Sequence, residues 1–142
     1  MSTTDMTTAT KVQSGLNEAA VEAVSQQLNQ YLANLHVLYA KLHNFHWNVE
    51  GDAFFPLHEV LQERYEALAE EIDDVAERLL KIGRRPLTRL ADYVDHAELA
   101  EAESRAYSGR EVAEHLLADY QTLIQGLRET IVVAQEHGDE GT

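Results

Sequence analysis

Residues His46–Glu77 read HWNVEGDAFFPLHEVLQERYEALAEEIDDVAE. They hold the only tryptophan, Trp47, and two of the seven histidines. From Pro56 onward, Leu57, Val60, Leu61, Leu68, Ile72, Val75 and Leu79 recur at helix-like spacing. That spacing predicts a helix ending near Ile82-Gly83, with Pro86 preventing continuation. At about 100° per residue, His58, Gln62, Asp73 and Glu77 fall within an arc of about 100° and share one face.

One chain cannot gather both ends of that face around one ion. His58 and Glu77 stand about 28 Å apart along the axis, whereas a metal–ligand bond is about 2 Å. The positions are mirrored about the point between Ala67 and Leu68: His58 with Glu77, and Gln62 with Asp73. A twofold axis there, pairing the helix antiparallel with its copy, sets His58 opposite the partner subunit's Glu77. Two identical His/carboxylate sites result. A plain solvated face is the other reading of the same residues, and spacing leaves both open.

Length and composition narrow the class. A chain of 142 residues with 44% hydrophobic content suits one globular domain. The absence of cysteine excludes disulfide and thiolate chemistry. No run of 18 apolar residues marks a membrane span. The N-terminus lacks a basic segment followed by an apolar one, so no signal peptide is expected and the cytoplasm is the default location. Acidic residues outnumber basic ones 25 to 11. That balance disfavours a general nucleic-acid binder and suits a protein that concentrates cations, although it also serves solubility.

The rest of the chain reads as a helical bundle. Residues 1–15 are Ser/Thr-rich with one basic side chain, Lys11, and are expected to be a flexible tail. The domain is expected over 16–142. A first helix is predicted from Asn17 to about Trp47, with a seam of Val24, Leu28, Leu32, Leu35, Tyr39, Leu42 and His46. His46 prolongs that stripe as a hydrogen-bonded core residue or a ligand, whereas His36 and His43 read as packing or surface groups. Asn48–Phe55 is expected to be a loop, and Thr88–Ala97 a short helix across the bundle. Ser108 to Glu111 is a capping-box pattern opening a third long helix, striped by Val112, Leu116, Tyr120, Leu123, Leu127, Ile131 and Ala134 and stopped by Gly138. His115 and His137 on it read as surface or interface groups. The final residues read as a loop ending at a capping Thr142. Three long helices and a short one are expected to leave open an apolar groove that a fourth long helix normally closes; truncation of the chain is the expected reason.

The segments KLHNFHWNVEGDAFFPLHEVL (Lys41–Leu61) and EEIDDVAERLLKIGRRP (Glu70–Pro86) closely resemble the Dps family, the mini-ferritins that protect starved bacterial and archaeal cells and their DNA. The resemblance runs from about Leu28 to Asp139. It implies an all-α, ferritin-like antiparallel four-helix bundle with a short extra helix between the second and third. It also implies a dodecameric shell built from twofold dimers. Each dimer interface would carry two ferroxidase centres, with His46 and His58 from one chain and Asp73 and Glu77 from the other. Trp47 lies beside the site in the family and is thought to intercept radicals. The substrates would be Fe²⁺ and hydrogen peroxide, and the ferric product would be stored as mineral in defence against oxidative stress.

This sequence departs from the pattern at Gln62, where the family usually has an acid. Glutamine is a poorer ligand for a hard cation, so each centre is expected to be di-iron with a weak second position, or mono-iron. The basic tail that many relatives use on DNA is absent, so DNA binding is not expected, and no membrane partner is expected either. Glu59 and Glu63 are candidate mineral nucleation groups, and Asp139 and Glu140 candidate lining of an acidic entrance pore. A conventional ferritin site inside one bundle wants Glu-x-x-His, and no histidine here has a glutamate three residues before it. A non-enzymatic DNA-compacting shell or acidic helical binding module is the remaining alternative.

Overall fold

The computed structural model describes residues 14–142. The expected tail lies outside the described residues, apart from its last two positions. Among the described residues, helix α1 spans Glu18–Asn48, α2 Phe54–Lys81, α3 Leu90–His96 and α4 Gly109–Glu136. Two short strands, β1 (Val49–Glu50) and β2 (Tyr107–Ser108), pair in parallel. The all-α architecture expected from the periodicity is present. No described helix is long and apolar enough to cross a membrane.

Local chemistry sets the helix ends. Asn17 caps α1, its Oδ1 accepting the Ala20 N–H at 2.8 Å. Pro56 lies in the first turn of α2, where its missing N–H costs nothing. After α2, Gly83 turns to φ 84° and the Arg84 N–H reaches back to the Leu79 carbonyl at 2.9 Å. The expected capping box forms: Glu111 N–H donates to Ser108 Oγ, and Ser108 N–H donates to Glu111 Oε2. Arg105 pairs with the same carboxylate at 3.1 Å and stacks over the Tyr107 ring.

Helix α1 is central, packing against α2, α3 and α4. The core forms two clusters along it, one around Leu35, Leu42, Phe45, Leu61 and Tyr107, the other around Val24, Leu32, Leu79 and Tyr93. Val60, expected on the apolar stripe of α2, is instead 44% exposed, because it points away from the Leu61–Leu68–Leu79 line. Between α2 and α4 runs the expected open groove, with cavities of about 400 and 220 Å³. On α4, Tyr120, Ile124, Leu127 and Ile131 recur every three or four positions and stay exposed beside it.

Three asparagines of α1 anchor the crossing segment. Asn29 Oδ1 accepts the Leu87 N–H at 3.0 Å, and Asn34 Oδ1 accepts the N–H groups of Glu98 and Leu99 at 2.7 and 3.2 Å. Asn44 donates its amide to the carbonyls of Ala102 and Glu103. These bonds satisfy backbone groups that irregular chain cannot pair with itself. His36 stacks on Tyr93 of α3, with ring centroids 3.8 Å apart, so it packs as expected. At the chain's end, the Asp139 carboxylate accepts the Thr142 N–H at 3.1 Å and meets Arg78 at 2.7 Å. Asp139 is thus buried and neutralised, so it offers no free charge to a pore; only Glu140 of that expected pair is exposed.

Candidate metal centre

The C-terminal turn of α1 meets the first turns of α2 at His46 and His58. His46 continues the buried seam and is 5% exposed, and His58 is half-buried. Their rings stack with centroids 3.7 Å apart and planes 11° apart. His46 Nδ1 lies 2.6 Å from the His58 carbonyl oxygen, and His58 Nδ1 lies 2.8 Å from the His46 carbonyl oxygen. A carbonyl only accepts, so each Nδ1 carries a proton and donates it. In the neutral ring the lone pair then resides on Nε2. The two bonds lock both rings in the tautomer that ligates through Nε2, the arrangement that orients imidazole ligands in metal sites. His58 also stacks on Phe54, 4.9 Å away.

The remaining predicted residues stand apart from this pair. Gln62, Asp73 and Glu77 lie on the exposed flank of α2 beside its buried stripe. Gln62 donates its amide to Glu66 Oε1 at 2.9 Å, which leaves only its amide oxygen for a cation. Asp73 and Glu77 are about 22 and 28 Å from His58 along the axis. Among the described residues, no three His, Cys, Asp or Glu side chains gather as a metal-holding group. Within one chain, the predicted ligands brought together are therefore the two imidazoles alone.

Aromatic groups surround the imidazole pair, and the sequence reading did not single out the most central of them. Tyr65 meets His46 edge-on at 5.2 Å and stacks on His43 at 3.9 Å. It follows His58 by two helical turns, and that spacing was its available signal. His43 packs, as expected, and donates from Nδ1 to the Tyr39 carbonyl at 2.9 Å. Trp47 is 66% exposed, with its ring 5.3 Å from that of His43.

The bundle interior offers different chemistry. Lys41 and Asp119 form an ion pair of 2.6 Å with both side chains buried between α1 and α4. A lysine ammonium beside the interior carboxylate repels a metal cation, so this position does not suit a conventional in-bundle site. His115, expected at a surface or interface, is half-buried, its ring 5.3 Å from that of Phe45 and 5.6 Å from that of Tyr107. Elsewhere, Tyr31 lines the open groove and donates to Glu71; burial first, and that carboxylate second, push its phenol well above the ordinary range.

Comparison with known proteins gives a consistent answer. The ferritin-like domain family matches residues 25–142. The chain is 41% identical over 121 residues to a DNA protection during starvation protein of Brevibacillus brevis, covering 85% of this chain and 80% of that one. It is similar to the solved structure of a Dps protein from Bacillus brevis at 39% identity and TM-score 0.84, covering 89% of this chain and 84% of that one. It is also similar to a Dps protein from Vibrio cholerae O1, described as a member of a broad superfamily of ferritin-like diiron-carboxylate proteins. There the identity is 32% and the TM-score 0.85, with 89% of this chain and 79% of that chain covered.

Proposed function

The chain belongs to the Dps branch of the ferritin-like family, and on that premise we propose that it oxidises Fe²⁺ at sites shared between two copies and stores the ferric product in an oligomeric shell. The observation that carries this reading is the reciprocal His46–His58 lock, which presents two Nε2 lone pairs and leaves the site short of carboxylates.

Asp73 and Glu77 of a second copy supply what is missing. The antiparallel pairing about Ala67-Leu68 brings the partner's Glu77 to His58 and the partner's Asp73 to Gln62. A feature of the structure supports that register. Phe55, 81% exposed, and Leu80, 51% exposed, lie on the same face of α2 as the ligands. They are mirrored about the same point, so one axis that completes both sites also covers both apolar side chains. Each site then joins two imidazoles to two carboxylates, a mixed N/O set that suits Fe²⁺. The Nδ1–H bonds to carbonyls make each imidazole a better donor.

Iron is the substrate in this reading, and peroxide is the preferred oxidant. Two Fe²⁺, one H₂O₂ and two protons give two Fe³⁺ and two waters, with no hydroxyl radical released. Gln62, neutral and turned to Glu66, makes the second iron position the weaker one. The ferric product passes inward and mineralises, with Glu59 and Glu63 as nucleating carboxylates. A dodecamer of twofold dimers is the assembly and the cytoplasm the place of action. With a net charge of −14, the chain has no electrostatic basis for gripping DNA at moderate salt.

The test is an anaerobic Fe²⁺ titration followed by peroxide, on wild type and the Asp73→Ala/Glu77→Ala variant, with light scattering alongside. Loss of rapid oxidation while the oligomer persists is the expected result. Equal oxidation by both proteins would leave these carboxylates as a solvated face.

A further inference from the structure

We infer that Glu66 supplies the carboxylate of the second iron position, in the place that Gln62 leaves without one. The inference rests on the iron-oxidising reading above and deepens it.

Glu66 stands one helical turn after Gln62, and the Gln62 amide donates to its Oε1 at 2.9 Å. That bond draws the Glu66 carboxylate back toward the His58 end of α2. It also orients the Gln62 amide, because the nitrogen faces Glu66 and the oxygen is left to a cation. Glu66 is exposed in the single chain, and among the described residues no cationic side chain pairs with it.

On a solvated helix face, such a pair one turn apart needs no further partner. The twofold register gives it a different setting. At about 100° per residue, Gln62, Glu66 and Asp73 fall within an arc of about 40°, so all three face the second copy. Gln62 lies about 8 Å and Glu66 about 2 Å along the axis from the twofold point between Ala67 and Leu68. Side chains on a helix lean toward its N-terminus. In an antiparallel pair, Glu66 and the partner's Asp73 therefore lean toward each other and meet between the levels of Gln62 and Glu66. The residue that the register sets against Glu66 is the partner's Ala69, whose methyl group leaves room for a bent carboxylate.

Donor type and charge follow from that placement. His46, His58 and the partner's Glu77 make one position, rich in nitrogen. Glu66, the partner's Asp73 and the Gln62 amide oxygen make the other, an all-oxygen set that suits a hard divalent cation. It remains the weaker position, because it has no imidazole and one donor is a neutral amide. The register also brings the Glu66 residues of the two copies within about 5 Å of each other along the axis. Enclosing two unpaired carboxylates in an interface is unfavourable, and a cation beside each offsets that cost. The second iron is thus held one turn nearer the twofold axis than an acid at position 62 would hold it.

The experiment titrates the assembled protein anaerobically with Fe²⁺ by calorimetry, and with Co²⁺, whose absorption reports the ligand set. Wild type, Glu66→Gln and Gln62→Glu/Glu66→Gln are compared, with light scattering alongside. Glutamine keeps the shape of Glu66 and removes its charge. Wild type is expected to bind two Fe²⁺ per site in a tight and a weaker step. Glu66→Gln should keep the tight step and weaken the second about tenfold or more, at least what loss of an outer-shell partner costs a metal site. The double variant moves the charge back one turn and should recover the second step. Two unchanged steps in Glu66→Gln, a single step in wild type, or no recovery in the double variant would each overturn the assignment. So would loss of the assembly in Glu66→Gln, which would make Glu66 a packing group. Absence of Fe²⁺ binding at the histidines of wild type would remove the functional reading itself, and this inference with it.

Discussion

His46 and His58 each donate an Nδ1–H to the other's backbone carbonyl, at 2.6 and 2.8 Å. The pair ties the end of α1 to the start of α2 and fixes both tautomers. Replacing His58 by Ala therefore does more than remove a ligand. It leaves the Nδ1–H of His46 with its carbonyl acceptor but strips the ring stack and the return bond. Urea denaturation should show a loss of about 1–3 kcal/mol, and anaerobic titration a loss of Fe²⁺ binding. His58→Gln, whose amide can still donate toward the His46 carbonyl, should recover part of the stability and none of the imidazole ligation.

Lys41 and Asp119 make a buried ion pair, with the residues 5% and 7% exposed. Lys41→Met alone strands a buried carboxylate and should cost about 3–5 kcal/mol. Lys41→Met with Asp119→Leu removes both charges and should recover most of that loss. Chemical denaturation of the two variants checks the difference. Equal destabilisation by both would show that shape, not charge, governs this layer.

Gly109 opens α4 where it passes the start of α2. A Cβ there would stand 2.7 Å from Ala53 Cβ and 3.2 Å from Leu57 Cδ1. Ala53 Cβ is fixed to backbone and cannot swing away. Gly109→Ala should therefore destabilise by about 1–3 kcal/mol, despite replacing glycine in a helix, where alanine ordinarily helps. Thermal melting of the variant is the check.

His36 stacks on Tyr93 and helps dock α3, and burial lowers its pKa below the ordinary 6.5. The folded state therefore binds this proton less readily than the unfolded chain. Its stabilising share is fully present above pH 6.5 and is lost progressively as pH falls below that value toward the lowered folded pKa. His36→Gln should flatten the stability profile across that acidic window, as followed by denaturation at a series of pH values. An unchanged slope would remove His36 from the acid response.

Much of this was legible because it is local. The Asn17 and Ser108 caps, the Gly83 and Gly138 stops and the His46–His58 seam are each written within a few residues of where they act. What stayed hidden depends on distance. Asn34 binds backbone 64 and 65 residues away, and Asn29 and Asn44 do the same at 58 and 59, with no periodicity to announce it. The β1–β2 pairing and the Lys41–Asp119 pair are equally non-local. Only the packing of α1 against α4 makes Lys41 an interior charge. Asp139 is buried at the chain's end because Arg78, on α2, offsets the cost of burying its charge. Burial pushes the Asp139 carboxyl up, and the bonds from Thr142 and Arg78 outweigh it, so its pKa lies below the usual value.

The sharing of each iron site between two copies is tested most directly by complementation. One variant, His46→Ala/His58→Ala, keeps its carboxylates; the other, Asp73→Ala/Glu77→Ala, keeps its histidines. Each is assayed alone, and the two are then co-expressed and purified as mixed assemblies, with peroxide-driven Fe²⁺ oxidation followed by absorbance. In a mixed dimer, the histidines of one chain meet the carboxylates of the other at one of the two sites. The shared-site arrangement therefore predicts that two inactive proteins give an active mixture. A mixture as inactive as its parents, with mixed dimers demonstrated by mass spectrometry, would contradict it.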